Sequence, residues 1–333
     1  MSIEDTFYGS DKLFTLKDAS NPTVMQRVLT AEVVPLLGGA RLESVEVEVL
    51  RRRKQRCVLR YRLHLEGAAG RRQLSLIGKV YKGDQGRQVT SLMHDLWAHG
   101  FDRAAQDRIA IPEVVAYVPR LALLLQEEIG GRPVKAYLGE EGAERALRQM
   151  ALGLVKLHRS PVRIGVPFRM QDHLRRCHPR PQVLRERIPE LRPAIDEILR
   201  EAVRLEHAYS SSQAGLIHGD FHMGQVHVAA PHTWLIDFDA CCVADPAADL
   251  GNILVFLKGK ARKLPSAPLL VDAFLDEYCK HMPADILQRV PLFEAITHLR
   301  RACKRLRFQE EGWQKKAERF IDDSLESLAE ARG

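Results

Sequence analysis

The chain has 333 residues, with 50 lysines and arginines against 43 acids and a formal charge of +7. At roughly 100–200 residues per domain, this length suits two domains or one large two-lobed unit. A hydrophobic share of 45% and a charged share of 28% argue against disorder, collagen and coiled coil, and the apolar runs fall well short of the ~20 residues of a membrane helix. The acidic, polar start MSIEDTFYGSDK does not read as a signal peptide, and the six cysteines contain no CxxC pair. A cytoplasmic protein with free thiols is therefore expected.

In chain order, apolar positions at helical spacing after Asn21-Pro22 predict a helix over residues 21–36, closed by Gly38-Gly39. Val45, Val47 and Val49 then alternate strictly with Ser44, Glu46 and Glu48. Beyond the basic stretch Arg51 to Arg56, alternation resumes with Leu59, Tyr61, Leu63 and Leu65 against Val58, Arg60 and Arg62. Two strands joined by a tight polar turn are expected. A third strand follows at 73–81, then a helix over 87–99 with Val89, Leu92, Met93, Leu96 and Trp97 on one stripe. Residues 111–117 and 121–127 read as two more strands around Val118-Pro119-Arg120. Helices are expected at 141–158 and 193–207, and the chain from residue 247 onward is again mostly helical. Strands first and helices afterwards make an α+β arrangement.

The basic excess has three readings: a nucleic-acid partner, an anionic ligand, or a charged surface. Arg51-Arg52-Arg53-Lys54-Gln55-Arg56 reads first as a solvated hairpin turn, with a phosphate clamp as the sharper alternative. Near 293–307 a helix buries Phe293, Ile296, Cys303 and Leu306, while Arg300, Lys304 and Arg307 line an adjacent face. A solvated face is the simplest account, and contact with an anionic acceptor through Arg300 and Lys304 is the more specific one. His218 and His222 have HxxxH spacing, but Gly219 and Gly224 deny them the helix a zinc pair needs. His173, Cys177 and His178 read as a polar loop, and Cys241-Cys242 as small buried residues.

The window from Leu216 to Phe256 carries the chemistry. Leu216-Ile217 and Val226-His227-Val228 flank a polar cluster, and Trp234-Leu235-Ile236 delivers Asp237 and Asp239. Polar residues converging at strand ends between apolar supports are the usual construction of an active site. Two such acids, Asp220 and Asp237, suit one general base and one ligand of a hard cation.

In this window the chain resembles the aminoglycoside phosphotransferase and choline kinase-like superfamily, whose fold is protein-kinase-like. The resemblance rests on His218-Gly219-Asp220, Ile236-Asp237-Phe238-Asp239, Asp245-Pro246 and Asp249-Leu250, in order and at matching spacing. It implies a two-lobed fold, with residues 1–129 as a β-rich nucleotide-covering lobe and 130–333 as a helical catalytic lobe. It also implies transfer of the ATP γ-phosphoryl to a small-molecule hydroxyl with Mg²⁺. Asp220 would be the catalytic base, Asp237 a metal ligand, and Asp249 a brace on the catalytic loop that His218 shapes. Lys79, rather than Lys82, would meet the nucleotide phosphates, and the segment with Glu127 and Ile129 would read the adenine edge. Three departures stand out. Gln225 replaces the metal-binding Asn; no Glu lies between Lys79 and Glu113, leaving Asp95 as the helix partner of the lysine; and the turn at 51–56 has no glycine. The first two motivate a rival reading as a nucleotide-binding pseudoenzyme. A nucleic-acid-binding protein ranks last, because no reading module is recognisable.

Overall fold

The computed structural model describes residues 13–53, 55–68, 70–209, 214–261, 264 and 267–332. The acidic start and Lys54 of the basic stretch lie outside the described residues. The chain divides into two compact units, Met1–Gly131 with Trp234–Asp239, and Arg132–Thr233 with Ala240–Gly333. The first boundary falls two residues beyond the expected one. The segment carrying Asp237 belongs to the first unit and not to the second.

The first unit opens with helices α1 (Leu16–Ala19) and α2 (Pro22–Glu32). Asn21 caps α2, its side chain accepting from the Thr23 and Val24 amides at 2.9 and 3.2 Å. The helix stops short of the expected residue 36 and continues as a 3₁₀ turn, Val34–Leu37. Pro35 supplies no amide and disfavours α-helical backbone at Val34. Strands β1 (Arg41–Arg53), β2 (Arg56–Gly67) and β3 (Gly70–Tyr81) follow. After them come helix α3 (Gln85–Leu96) and strands β4 (Ile109–Ala110), β5 (Val114–Val118) and β6 (Leu123–Glu127). A five-stranded antiparallel sheet results, in the order β1-β2-β3-β6-β5.

The period-two pattern of β2 decides which face is core. Cys57, Leu59, Tyr61, Leu63 and Leu65 are buried against Met25, Val28 and Leu29 of α2, and the Tyr61 hydroxyl donates to the Ala19 carbonyl at 2.7 Å. The opposite face carries Arg56, Val58, Arg60 and Arg62. The register sets Arg56 opposite Tyr81 and Val58 opposite Lys79, so Arg56, Lys79 and Tyr81 share this polar face. The expected turn over 51–56 is tighter than its composition suggests. β1 keeps pairing through Arg53, which lies opposite Arg56, so these arginines are strand residues with alternating directions.

In the second unit, β7 (Arg132–Pro133) pairs with β9 (Val226–Ala229), and helix α4 (Ala143–His158) follows β7. Of the segment read as a polar loop, His173 lies in the short helix α5 (Met170–Arg175), while Cys177 and His178 fall between it and α6 (Pro181–Arg187); α7 (Arg192–Ala208) follows. Strand β8 (Gly215–Ile217) pairs antiparallel with β11 (Cys242–Ala244), Ile217 opposite Cys242. Between them, β10 (His232–Leu235) takes the chain back to the first unit. Helices α8 (Ala247–Ala261), α9 (Ala267–Cys279), α10 (Val290–Phe308) and α11 (Trp313–Arg332) complete the unit. Phe293, Ile296, Cys303 and Leu306 of α10 are all buried, as their spacing predicts. α8 meets α10 at Gly251, where a Cβ would stand 2.7 Å from the Glu294 amide nitrogen, so only glycine allows this approach.

Candidate active site

In the first unit, β3 brings Lys79 to the polar face, where its residue is 6% exposed. A buried ammonium needs partners. Its Nζ donates to Asp237 Oδ1 at 2.9 Å and to Asp239 Oδ1 at 3.2 Å. Tyr81, two residues on and so on the same face, donates its hydroxyl to Asp239 Oδ1 at 2.9 Å. Burial raises the Tyr81 pKa and keeps that donor protonated. Arg56 completes the cluster. Its Nη1 and Nη2 donate to the Asp237 carboxylate at 2.6 and 3.2 Å, and Nη1 also pairs with Asp239.

Two carboxylates thus face two cations. Burial by itself raises the Asp237 pKa, but the charges and hydrogen bonds of Lys79 and Arg56 outweigh it and hold the carboxyl far below the usual carboxylate range. Burial lowers the Lys79 ammonium from its ordinary value; Asp237 opposes that shift and Arg56 adds to it. Asp237 also adopts a left-handed backbone, φ 68°, which costs a non-glycine residue about 1–2 kcal/mol. Such local strain persists where surrounding contacts over-determine it, often at working sites.

Asp95 is not brought to this cluster. It is exposed near the end of α3, its carbonyl accepting from His99 at 2.7 Å, and among the described residues no ion pair joins it to Lys79. The lysine finds its carboxylates on the Asp237–Asp239 segment instead. Glu127 ends β6, is 8% exposed and pairs with Arg103, whose Nε donates to Oε2 at 3.0 Å. Its other oxygen, Oε1, is buried with no hydrogen-bond partner among the described residues. Ile129, two residues on, is half-buried.

In the second unit, the segment after β8 carries His218, Gly219 and Asp220. His218 is fully buried, with its ring edge-on to Phe221 at 5.7 Å. Gly219 has φ 76°, and a Cβ there would stand 2.2 Å from the Ala240 carbonyl oxygen and 2.5 Å from Arg176 Nη1. Arg176 itself donates to the Ala240 carbonyl at 2.8 Å. The bend leaves Asp220 exposed. Asp249, in the first turn of α8 and 1% exposed, accepts the His218 amide on Oδ2 at 2.6 Å and the Gly219 amide on Oδ1 at 2.9 Å. His158, the last residue of α4, lies 3.2 Å from Asp249 Oδ2 through Nε2 and 2.8 Å from the Tyr278 hydroxyl through Nδ1. Burial raises the Asp249 pKa, but the hydrogen bond and charge of His158, with the loop amide of His218, leave the net shift downward.

Asn252 reaches the same loop, donating to the Phe221 carbonyl at 2.6 Å, and Arg300 donates to the Asn252 side-chain oxygen. Arg300 is therefore one side chain removed from the loop. Lys304 is exposed, its ammonium 5.9 Å from the Phe308 ring centroid. Gln225 is 7% exposed, and its backbone amide donates to the His222 carbonyl at 2.8 Å. Sequence reasoning did not assign Arg56, Asp239, Tyr278 or Arg176 to the site. Asp239 stood two residues from Asp237 in the same motif, and Arg56 in the basic run. Tyr278 and Arg176 had no local signal.

Among the described residues no three His, Cys, Asp or Glu side chains converge as a metal cage. The paired carboxylates of Asp237 and Asp239, both reached by Lys79 Nζ, are hard oxygen donors. They fit a cation such as Mg²⁺, which takes one or two protein carboxylates and completes its shell with water and phosphate oxygens.

The family model described as "Phosphotransferase enzyme family" matches residues 59–290. Among solved structures, a choline/ethanolamine kinase family protein from Mesorhizobium loti superposes with a TM-score of 0.62 at 15% identity, over 93% of this chain and 99% of that one. A spectinomycin phosphotransferase solved with ADP and spectinomycin gives 0.57 at 13% identity, over 94% and 98%. Choline kinase LicA from Streptococcus pneumoniae gives 0.57 at 14%, over 92% and 99%. No curated protein sequence matches the chain. The fold is thus the two-lobed kinase-like one, and with the family match spanning most of its length this chain belongs to the phosphotransferase enzyme family.

Proposed function

We propose that the chain transfers the γ-phosphoryl group of ATP to a hydroxyl of a small molecule. The observation that carries this reading is the burial of Lys79 between Asp237 and Asp239 at 2.9 and 3.2 Å. That cluster offers a cation to nucleotide phosphates and two hard oxygen ligands to Mg²⁺. Bound there, Mg²⁺ would supply positive charge against the β- and γ-phosphate oxygens. Glu127 supports a nucleotide beside β6, since its buried Oε1 lacks a donor among the described residues.

Asp220 is the proposed base. It takes the proton of the acceptor hydroxyl as that oxygen bonds to the γ-phosphorus; the bond from phosphorus to the β–γ bridging oxygen breaks, and ADP leaves. Asp249 holds the His218-Gly219 backbone and thereby the direction of Asp220. Arg300, through Asn252, would set the loop against an anionic acceptor, with Lys304 one turn further along α10. No helix among the described residues is long and apolar enough to cross a membrane, and use of ATP suits the cytoplasm.

A second reading, a nucleotide-binding protein without turnover, is favoured by the exposed Asp95 and by Gln225. One experiment separates the two. Purified protein with Mg-ATP is offered a panel of hydroxyl metabolites, with ADP formation and phosphorylated product both measured. Transfer to at least one acceptor above the rate of ATP hydrolysis supports the kinase. Tight nucleotide binding with no transfer across the panel supports the pseudoenzyme.

A further inference from the structure

Arg56 is the one charged member of the Lys79 cluster that the phosphotransfer reading leaves without work. It is the first residue of β2, and the sheet register directs it to the face of Lys79 and Tyr81. Lys79 is already bonded to both carboxylates, so each acid has a cationic partner without Arg56. Arg56 nevertheless lies over the same two acids. Its Nη1 shares Asp237 Oδ1 with the lysine at 2.6 Å, its Nη2 takes Asp237 Oδ2 at 3.2 Å, and Nη1 also meets Asp239. Planar two-point pairing is what a guanidinium offers to a carboxylate, and it offers the same to a phosphate. With Arg56 in place the four charges sum to zero; without it the two acids and Lys79 keep a net charge of −1. The oxygens that Arg56 occupies are the hard donors a divalent cation needs, and a guanidinium lying over them opposes a cation by like charge and by the space it fills.

We propose that Arg56 is a resident counter-ion of Asp237 and Asp239. It competes with a divalent cation for these carboxylates and exchanges them for the phosphate oxygens of a bound nucleotide. Metal alone then binds weakly, and nucleotide and metal favour each other, because the phosphates draw off the group that blocks the metal. The arginine acts as a positioning residue that couples the two ligands. This rests on the assignment of the metal to Asp237 made above.

The test reads binding directly. Free Mn²⁺ is followed by electron paramagnetic resonance during titration of wild type, Arg56→Gln, Arg56→Lys and Asp237→Asn. AMP-PNP affinity is measured by calorimetry without metal. Arg56→Gln is expected to bind Mn²⁺ about tenfold more tightly than wild type and AMP-PNP about tenfold more weakly. Arg56→Lys keeps the charge but loses two-point pairing, so it falls between on both scales; it carries the test if Arg56→Gln does not fold. A purely structural role for Arg56 cannot move the two affinities in opposite directions. Mn²⁺ affinity that is unchanged or weaker in the Arg56 variants, with Asp237→Asn abolishing Mn²⁺ binding, overturns the counter-ion and spares the metal assignment. Mn²⁺ binding that survives intact in Asp237→Asn overturns both.

Discussion

Replacing Asp249 with Asn changes almost no volume and should still be severe. The wild-type carboxylate accepts two backbone amides, His218 at 2.6 Å and Gly219 at 2.9 Å, and meets His158 Nε2 at 3.2 Å while only 1% exposed. An Asn side chain keeps one acceptor and turns an NH₂ toward the other contacts. Whichever way it flips, a buried donor faces a donor. An orphaned buried amide costs about 1–3 kcal/mol, and removing one charge of a buried hydrogen-bonded pair costs about 3–5 kcal/mol. These two figures overlap in what they count, so a net loss of about 3–5 kcal/mol is expected. Urea unfolding followed by circular dichroism measures it. The sign of the pH dependence follows from the depressed pKa of Asp249. The wild-type advantage is complete above about pH 4, where the unfolded carboxyl is ionised, and shrinks as pH falls further through the folded value. A loss below about 1 kcal/mol at neutral pH would show that the loop does not depend on this brace.

Gly219→Ala places a methyl 2.2 Å from the Ala240 oxygen at a φ of 76°. Left-handed strain of about 1–2 kcal/mol plus a backbone clash should lower the melting temperature and cut turnover; an unchanged melting temperature would contradict the close approach. His173 has its pKa lowered to about 4 by burial, with the Arg176 and Arg300 charges adding to the shift. Because the unfolded state takes up this proton first, stability should fall as pH drops from about 6.5 toward 4, by about 2 kcal/mol. The ring touches Phe168 and Phe293 edge-on at 6.2 and 5.5 Å, so His173→Phe should fill the same space and flatten that part of the profile. Thermal melts at pH 7 and pH 5 check it.

What could be read in advance follows from how each contact is encoded. The alternation in β2 and the helical stripe of α10 are local periodicities, and one face of each is buried as the spacing requires. The short helix α5 has no sustained stripe, and the polar composition around His173 resembles a loop. The hold of Asp249 on the His218-Gly219 backbone was legible because it depends on fixed spacing within one window, and the same window singled out Asp220 and Asp237. The partner of Lys79 was not. The expected acid, Asp95, lies on the nearest helix in sequence, whereas the acids that pair with it are more than 150 residues away, at separations of 158 and 160. Arg56 was seen as charge in a turn, but only the register of β2 with β3 shows that it shares the face of Lys79 and Tyr81. His158 and Tyr278, 120 residues apart, meet through tertiary packing that no local pattern announces.

The most direct measurement is the turnover of Asp220→Asn with an acceptor found in the metabolite panel, alongside its affinity for Mg-ATP. Asn keeps the shape of the exposed side chain and removes its basicity. The account predicts that kcat falls by about 10²–10⁴-fold while the nucleotide dissociation constant stays where it is in wild type. Turnover at the wild-type rate, or a loss that appears only together with lost nucleotide binding, would contradict the assignment of Asp220 as the base of a phosphotransferase.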